Sequence, residues 1–352
     1  MEDTGNISER FLFQFGKCMR QIIFSECQNS QTVGLNSCVK KSITKIVSHL
    51  FIIIHSSVLS VHHSSTLRFL HHQTEFIGRF LLIQNQLFEY GYPVPMGDQV
   101  YIQPSVYEKN TKMFYAENDL IRVCIRCRSS FQVENDGLQR ISNSKSVCKD
   151  SNGMMYRFHI HNQHPMENLK KFKRAPKVTG SNWNMSGKMY ALDVESVYTS
   201  HGQAVGRVTV VDCFGATVID AIVKPKDAVY DCVTKYSGLT LEHFKYATET
   251  IESIREKIFD YINEQSILVG HALNGDLKAL GIIHDNVIDT SILYSVNGRR
   301  PSLRQLTSTH LKYEIQNGSG GHCSKEDAVA SLQLVYFGAM NPTSLSPFYQ
   351  EF

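Results

Sequence analysis

Apolar positions recur with the periods of strands and helices over residues 188–338. Lys188-Met-Tyr-Ala-Leu192 predicts an apolar strand. Two more are predicted over 207–212 and 217–223, rich in Val, Ile and Thr, with Gly215 in the turn between them. Such a pair reads as a hairpin. Ile251, Ile254, Ile258, Phe259 and Ile262 share one face of a helix. Ile267-Leu-Val-Gly270 predicts a short buried strand, followed by a helix carrying Leu277 and Leu280. Val287-Ile-Asp289 predicts another strand, and helices are expected over 302–311 and 325–337. The expected fold class is α/β, a mixed five-stranded sheet flanked by helices.

The chain ahead of this region is less regular. Residues 1–80 carry Ser, His and Ile clusters without a period and predict a poorly ordered or partly helical tail. Helix-like spacing begins at residue 80 and is stopped by Tyr90-Gly-Tyr-Pro-Val-Pro95. Residues 81–161 are read as a small N-terminal unit with a CxxC, 162–187 as a basic linker, 188–340 as the main domain and 341–352 as a tail. The apolar stretch 46–61 is interrupted by His49, His55 and serines. It is shorter than the roughly 20 apolar residues of a spanning helix, so no membrane partner is expected.

Composition narrows the picture a little. The 352 residues allow two domains, and 42% apolar content allows an ordinary core. A net charge of +3 means that any basic footprint must be local. One exists: Lys170, Lys171, Lys173, Arg174 and Lys177 lie together with no acid among them. That run reads as a solvated loop, as a phosphate contact, or as a nuclear import signal. The expected location is the nucleus or its nucleolus. Nine cysteines without a secretory signal point to a reducing compartment.

The chemistry sits in the regular region. Asp193-Val-Glu195 is placed at the end of the first strand, where residues two apart point to one face. Two carboxylates so aimed repel unless a divalent cation lies between them, and oxygen ligands favour Mg²⁺ or Mn²⁺. Asp276 follows a buried strand in Gly270-His-Ala-Leu-Asn-Gly-Asp276. Asp327 follows His322 by five residues in Gly321-His-Cys-Ser-Lys-Glu-Asp327, with Ser324 as the expected N-cap of a helix. These parts fit phosphodiester hydrolysis with two ions. Asp193 would bridge both, Glu195 and Asp327 would complete one shell, and Asp276 would hold the other. His322 has an intrinsic pKa of about 6.5, suited to taking a proton from water. An Asp-x-Glu or a His-x4-Asp alone is commonplace; their order beside strand ends and helix starts is rarer. Residues alone do not choose between RNA and DNA.

Six segments carry a family resemblance. They are Tyr190-Ala-Leu-Asp-Val-Glu195, Tyr230-Asp-Cys-Val-Thr-Lys-Tyr-Ser-Gly-Leu-Thr240, Leu268-Val-Gly-His-Ala-Leu-Asn-Gly-Asp-Leu277, Val287-Ile-Asp-Thr290, Ser302-Leu-Arg-Gln-Leu306 and Gly321-His-Cys-Ser-Lys-Glu-Asp-Ala328. In this order and spacing the region resembles the DEDDh exonucleases of the ribonuclease H-like fold, closest to the eukaryotic RNA exonuclease 1 homolog family. The resemblance implies 3′→5′ release of nucleoside monophosphates from single-stranded RNA ends. It implies catalysis by Asp193, Glu195, Asp276 and Asp327 with two Mg²⁺ or Mn²⁺ ions and His322 as general base. Ser196, Leu239, His271 and Leu273 are the expected substrate-side positions, although His271, like His284, reads from the residues alone as structural. Val194, Ser196 and Cys323 depart from the family pattern, and Ser196 would weaken a contact to the terminal nucleotide.

Cys124-Ile-Arg-Cys127, Cys148 and His161 form a candidate structural zinc site, weighed against buried or free thiols. Tyr236, Phe244 and Tyr246 are candidates for base stacking, with core packing expected for at least two of them. Arg299, Arg300 and Arg304 are candidate phosphate contacts. A DNA exonuclease, a non-catalytic nucleic-acid-binding module and a zinc-organised interaction protein remain the alternatives.

Overall fold

A computed structural model describes residues 77–97, 99–103, 121–134, 148–161, 172–317 and 321–350. The expectations for residues 1–76, for the apolar stretch 46–61 and for Lys170 and Lys171 lie outside the described residues.

Six strands form the central sheet: β1 (Met189–Thr199), β2 (Gly202–Asp212), β3 (Thr217–Ile222), β4 (Val229–Asp231), β5 (Ile267–Gly270) and β6 (Val287–Asp289). Their order is β3-β2-β1-β5-β6, with β4 paired to the far end of β1. The first three are antiparallel neighbours, while β5 runs parallel to β1 and β6 parallel to β5. The sheet is therefore mixed, and it has one strand more than the sequence predicts. Val229-Tyr-Asp231 is too short to show a period, and it pairs only with Tyr198 and Thr199. β1 and β2 are eleven residues each, longer than their apolar runs, because polar residues occupy the continued strand.

Alternate residues of the strands feed two cores. Met189, Ala191, Val211, Val269 and Ile288 pack on one face, with Ala328, Leu332 and Val335 of a long helix, α3 (Ser324–Met340). Tyr190, Leu192, Val208, Val210, Leu268 and Val287 pack on the other. There they meet α1 (Ile251–Phe259) through Ile254 and Ile258, and α2 (Asn274–Leu280) through Leu277 and Leu280. α1 begins where the Thr250 hydroxyl accepts from the Ser253 amide at 3.1 Å. The 302–311 prediction resolves into a short α-helix, Leu303–Leu306, continued by a π-helical turn, Thr307–Leu311.

The domain boundaries shift. Ile77 and Phe80 belong to the first core, and Leu82, Leu87 and Tyr92 to the second. Residues 77–92 are thus part of the main domain and not of a unit shared with the CxxC. The expected linker also packs: Lys173–Arg174 pairs with Ile282–Ile283, Ala175 is buried, and Arg174 forms an ion pair with Asp285. Leu345 and Tyr349 are buried in the first core, so residues 341–350 are packed as well. Among the described residues, no helix is long and apolar enough to cross a membrane.

Candidate active site

β5 pairs with β1 only from Met189 to Ala191, and β4 only at Tyr198 and Thr199. Between those contacts β1 has no strand on that flank among the described residues. Asp193 and Glu195 fall in this gap. They lie in mid-strand, not at its end as expected. The end that matters is that of β5, where a sheet edge opens beside a strand that continues.

Asp276 comes to the gap from the first turn of α2, just after the β5–α2 bend. Asp289, at the end of β6, fixes that bend. Its Oδ1 accepts the Ala272 amide at 2.9 Å, the Ser291 amide at 2.9 Å and the Ser291 hydroxyl at 2.7 Å. Its Oδ2 accepts the Tyr92 hydroxyl at 2.6 Å. Ala272 itself adopts φ +56°, a left-handed conformation that costs a non-glycine residue energy and that the Asp289 bond holds in place.

Asp327 stands on the first turn of α3. The N-cap is Cys323; Ser324, expected as cap, is the first helical residue, and its hydroxyl lies 2.6 Å from the Thr209 hydroxyl. Gln316 Nε2 donates to Asp327 Oδ2 at 2.8 Å, while Asp327 Oδ1 is buried without a hydrogen-bond partner among the described residues. His322 is held from behind, its amide donating to the Tyr236 carbonyl at 2.6 Å. Its Nδ1 lies 3.7 Å from Asp327 Oδ2. Glu195, His322 and Asp327 each offer a ligand atom, all within 4.8 Å of one another.

The four acids burden each other. Burial pushes the Asp193 carboxyl well above the usual range, and repulsion from Asp276, Asp327 and Glu195 adds to it. Burial and then Asp327 push Glu195 up to about 7, against the pull of Arg207. Asp276 is also pushed well up by burial, then by Asp289 and Glu195. Burial raises Asp327 too, opposed by Gln316 and His322. A convergence of carboxylates with an unpartnered buried oxygen is what a divalent cation would relieve. The donor set, mostly oxygen, fits a hard ion such as Mg²⁺ or Mn²⁺.

The other candidates separate. Ser196 follows Glu195 at a register shift between β1 and β2. Leu239 and Leu273 have exposures of 1% and 0% and serve the cores, so they leave no surface for substrate. His271 Nδ1 pairs with the Thr290 hydroxyl at 3.0 Å, and buried His284 pairs with the Ser266 carbonyl at 2.7 Å. Phe244 is buried, but Tyr236 and Tyr246 are 55% and 81% exposed, so two of the three aromatics are surface residues. The Arg300 guanidinium lies over the Tyr90 ring at 4.5 Å, and Arg304 is engaged by Glu314 and Asn317. Sequence reasoning missed Tyr92, Gln316 and Arg207, and gave Asp289 no role. A carboxylate closing an apolar strand was the available signal for Asp289. Gln316 and Tyr92 carry none, since their roles depend on long-range packing.

A second cluster lies away from the acids. Cys124, Cys127, Cys148 and His159 each place a ligand atom within 4.8 Å of the others. His161, the expected fourth member, instead pairs with the Ser200 carbonyl at 3.2 Å. The fourth position in this cluster belongs to His159.

A gap in a mixed sheet lined by acids from β1, α2 and α3 is the arrangement of a candidate nuclease. Comparison with known proteins makes the family plain. The chain is 33% identical over 303 residues to the putative RNA exonuclease pqe-1 of Caenorhabditis elegans, covering 76% of this chain and 18% of that protein. It is 31% identical over 284 residues to human RNA exonuclease 1 homolog, covering 73% of this chain and 23% of that protein. The chain belongs to an exonuclease family close to the RNA exonuclease 1 homologs. It spans less than half the length of these relatives. No family model matches. Among solved structures, the catalytic unit of Neurospora crassa Pan2, with protease and nuclease domains, is 24% identical with a TM-score of 0.42, covering 53% of this chain and 32% of that one.

Proposed function

We propose that this chain is a 3′→5′ exoribonuclease with a ribonuclease H-like fold. In this reading Asp193, Glu195, Asp276 and Asp327 hold two Mg²⁺ or Mn²⁺ ions, and His322 is the general base. The observation that carries it is the clustering of Glu195, His322 and Asp327 within 4.8 Å, with Asp193 and Asp276 close enough to repel these acids and Asp327 Oδ1 buried and unpartnered among the described residues. The mixed sheet flanked by helices supports the fold class that the resemblance implies. When bound, the ions would neutralise this charge and stabilise the attacking and leaving oxygens of an in-line displacement.

The protein's own groups divide the remaining work. His322 would take the proton from the attacking water, on a loop anchored by its amide to Tyr236. Gln316 steadies one oxygen of Asp327 and leaves the other for a cation. Exposed Tyr236, 6.1 Å from the His322 ring between centroids, is positioned to stack on a terminal base. RNA is favoured over DNA because the relatives above are named RNA exonucleases.

Polarity and sugar choice are tested together. Single-stranded RNA and DNA of one sequence, 5′-labelled and with free or blocked 3′ ends, are incubated with the chain and Mg²⁺. Stepwise shortening of free-ended RNA, with release of nucleoside monophosphates, is expected. Equal or faster loss of DNA would assign the site to DNA, and degradation of 3′-blocked RNA from its other end would reverse the polarity.

A further inference from the structure

The CxxC unit has a very small core. Cys124, Phe131, Val133, Cys148 and Ile160 are its buried apolar residues, and its described strands are two or three residues long. A core of that size does not hold a fold alone, and a metal is the usual substitute. We propose that Cys124, Cys127, Cys148 and His159 bind one structural zinc ion, and that the zinc-held unit clamps the segment behind His322.

The spacing of the ligand atoms suits a tetrahedral ion. With Zn–S near 2.3 Å, two thiolates on one zinc stand about 3.8 Å apart, and a thiolate and an imidazole nitrogen about 3.6 Å. Cys124 Sγ and Cys148 Sγ are 3.7 Å apart, and Cys127 Sγ and His159 Nδ1 are 3.3 Å apart. The three thiols and the one imidazole nitrogen all lie within 4.8 Å of one another, and the three cysteines are unbridged. The ligands come from the turn after one hairpin strand, from a second hairpin and from the irregular segment beyond it. The Ile125 amide bonds to the Ile160 carbonyl at 2.9 Å, which joins the first piece to the last. The Phe131 ring stacks on His159 with centroids 5.1 Å apart and so orients the imidazole. His161 is not among the converging groups, and its Nε2 pairs with the Ser200 carbonyl.

The unit grips the main domain beside its cysteines. Arg126, between Cys124 and Cys127, forms an ion pair with Asp231 at the end of β4 and lies over the Tyr156 ring at 3.4 Å. Phe158 stacks on Tyr230 at 4.1 Å. From Asp231 a chain of bonds leads toward the acids. Asp231 Oδ1 accepts the Val233 amide at 2.7 Å, the Val233 carbonyl accepts the Tyr236 amide at 2.7 Å, and the Tyr236 carbonyl accepts the His322 amide at 2.6 Å. Arg126 and Asp231 are thus positioning residues for His322. This second role rests on the proposed function of His322; zinc binding does not.

The test uses the full chain, purified with zinc present, and its His159→Ala, His161→Ala and Cys127→Ser variants. Metal analysis is expected to find one zinc per wild-type chain and per His161→Ala chain, and almost none in the other two. Cobalt-substituted wild type is expected to show the intense visible absorption of a tetrahedral thiolate site, a readout that needs no variant to fold. Wild type without zinc, a Cys124–Cys148 disulfide in the purified chain, or zinc kept by His159→Ala and lost by His161→Ala would each overturn the assignment. Hydrogen exchange then reads the clamp. Loss of zinc in His159→Ala should speed exchange at least tenfold at the amides of Tyr236 and His322, while unchanged exchange would overturn the clamp. Failure to degrade RNA with zinc bound and exchange slow would count against the nuclease reading alone.

Discussion

Tyr92 and Asp289 stand 197 positions apart in sequence, yet the Tyr92 hydroxyl donates to Asp289 Oδ2 at 2.6 Å in the buried interior. Tyr92 comes from the segment ahead of the main sheet, and Asp289 supports the bend that delivers Asp276. The segment 77–92 therefore helps to shape the site as well as to fill the core. Tyr92→Phe removes one partner and leaves a buried carboxylate oxygen short of a donor. The expected cost is about 1–3 kcal/mol of stability, read by thermal or denaturant unfolding. Activity should fall with the fold intact, and an unchanged unfolding midpoint would show that the bond carries no weight.

The raised carboxyls set the pH dependence of the metal-free protein. Glu195 is pushed from 4.5 to about 7 on folding, so the native chain binds its proton more tightly than the unfolded chain. The contribution is fully present below pH 4.5 and is lost as pH rises through 7. At 1.36 kcal/mol per unit, Glu195 alone accounts for about 3 kcal/mol at most. Asp193, Asp276 and Asp327 shift in the same direction. In EDTA the melting temperature should be lower at pH 8 than at pH 5.5, and Mn²⁺ should raise it more at pH 8. A metal-free protein more stable at pH 8 would contradict the electrostatics.

Gly321 is the hinge point of the histidine loop. It has φ +91°, and a Cβ there would sit 2.2 Å from the Gly238 nitrogen and 2.5 Å from the Thr234 carbonyl oxygen. Both obstacles are backbone, so a side chain must push the loop away. Gly321→Ala should displace His322 and lower kcat by about 100-fold, the scale of an ångström misplacement. KM for RNA should change little. Steady-state kinetics checks it, and wild-type kcat would place the loop's constraint elsewhere.

Tyr236 is 55% exposed beside His322. Replacing it by Ala removes a stacking platform worth about 1–3 kcal/mol per base. Binding of single-stranded RNA to the full chain in Ca²⁺ should weaken by about fivefold or more, and an exposed residue should leave thermal stability unchanged. Equal affinity of Tyr236→Ala and wild type would remove Tyr236 from the substrate path.

How much of this was legible in the sequence follows from where each signal lies. The long, apolar and locally periodic elements were readable: β5, β6, α1 and α3 stand where the apolar residues predict them. β1 was cut short because Asp193, Glu195 and Ser196 break its apolar run while its backbone pairing continues to Thr199. β4 went unseen because three residues show no period. The sequence singled out five acid and histidine positions close to strands or helix starts, and the structure brings Glu195, His322 and Asp327 within 4.8 Å of one another. Tyr92, Gln316 and the choice of His159 over His161 depend on contacts across 11 to 197 positions, which no local pattern encodes. Leu239 and Leu273 show the opposite limit: a motif position that resembles a substrate contact is fully buried here.

The central claim is that the four acids serve cation-dependent hydrolysis. It is tested most directly by following 5′-labelled single-stranded RNA with wild type and Asp193→Ala prepared in parallel, each with Mg²⁺ or EDTA. Removing an outer partner of a metal ligand costs about 10–100-fold, so loss of the ligand itself should exceed 100-fold. Wild type with Mg²⁺ should shorten the RNA stepwise, EDTA should stop it, and Asp193→Ala should remain folded and inactive. Degradation that persists in EDTA, or that Asp193→Ala retains at the wild-type rate, would contradict the account.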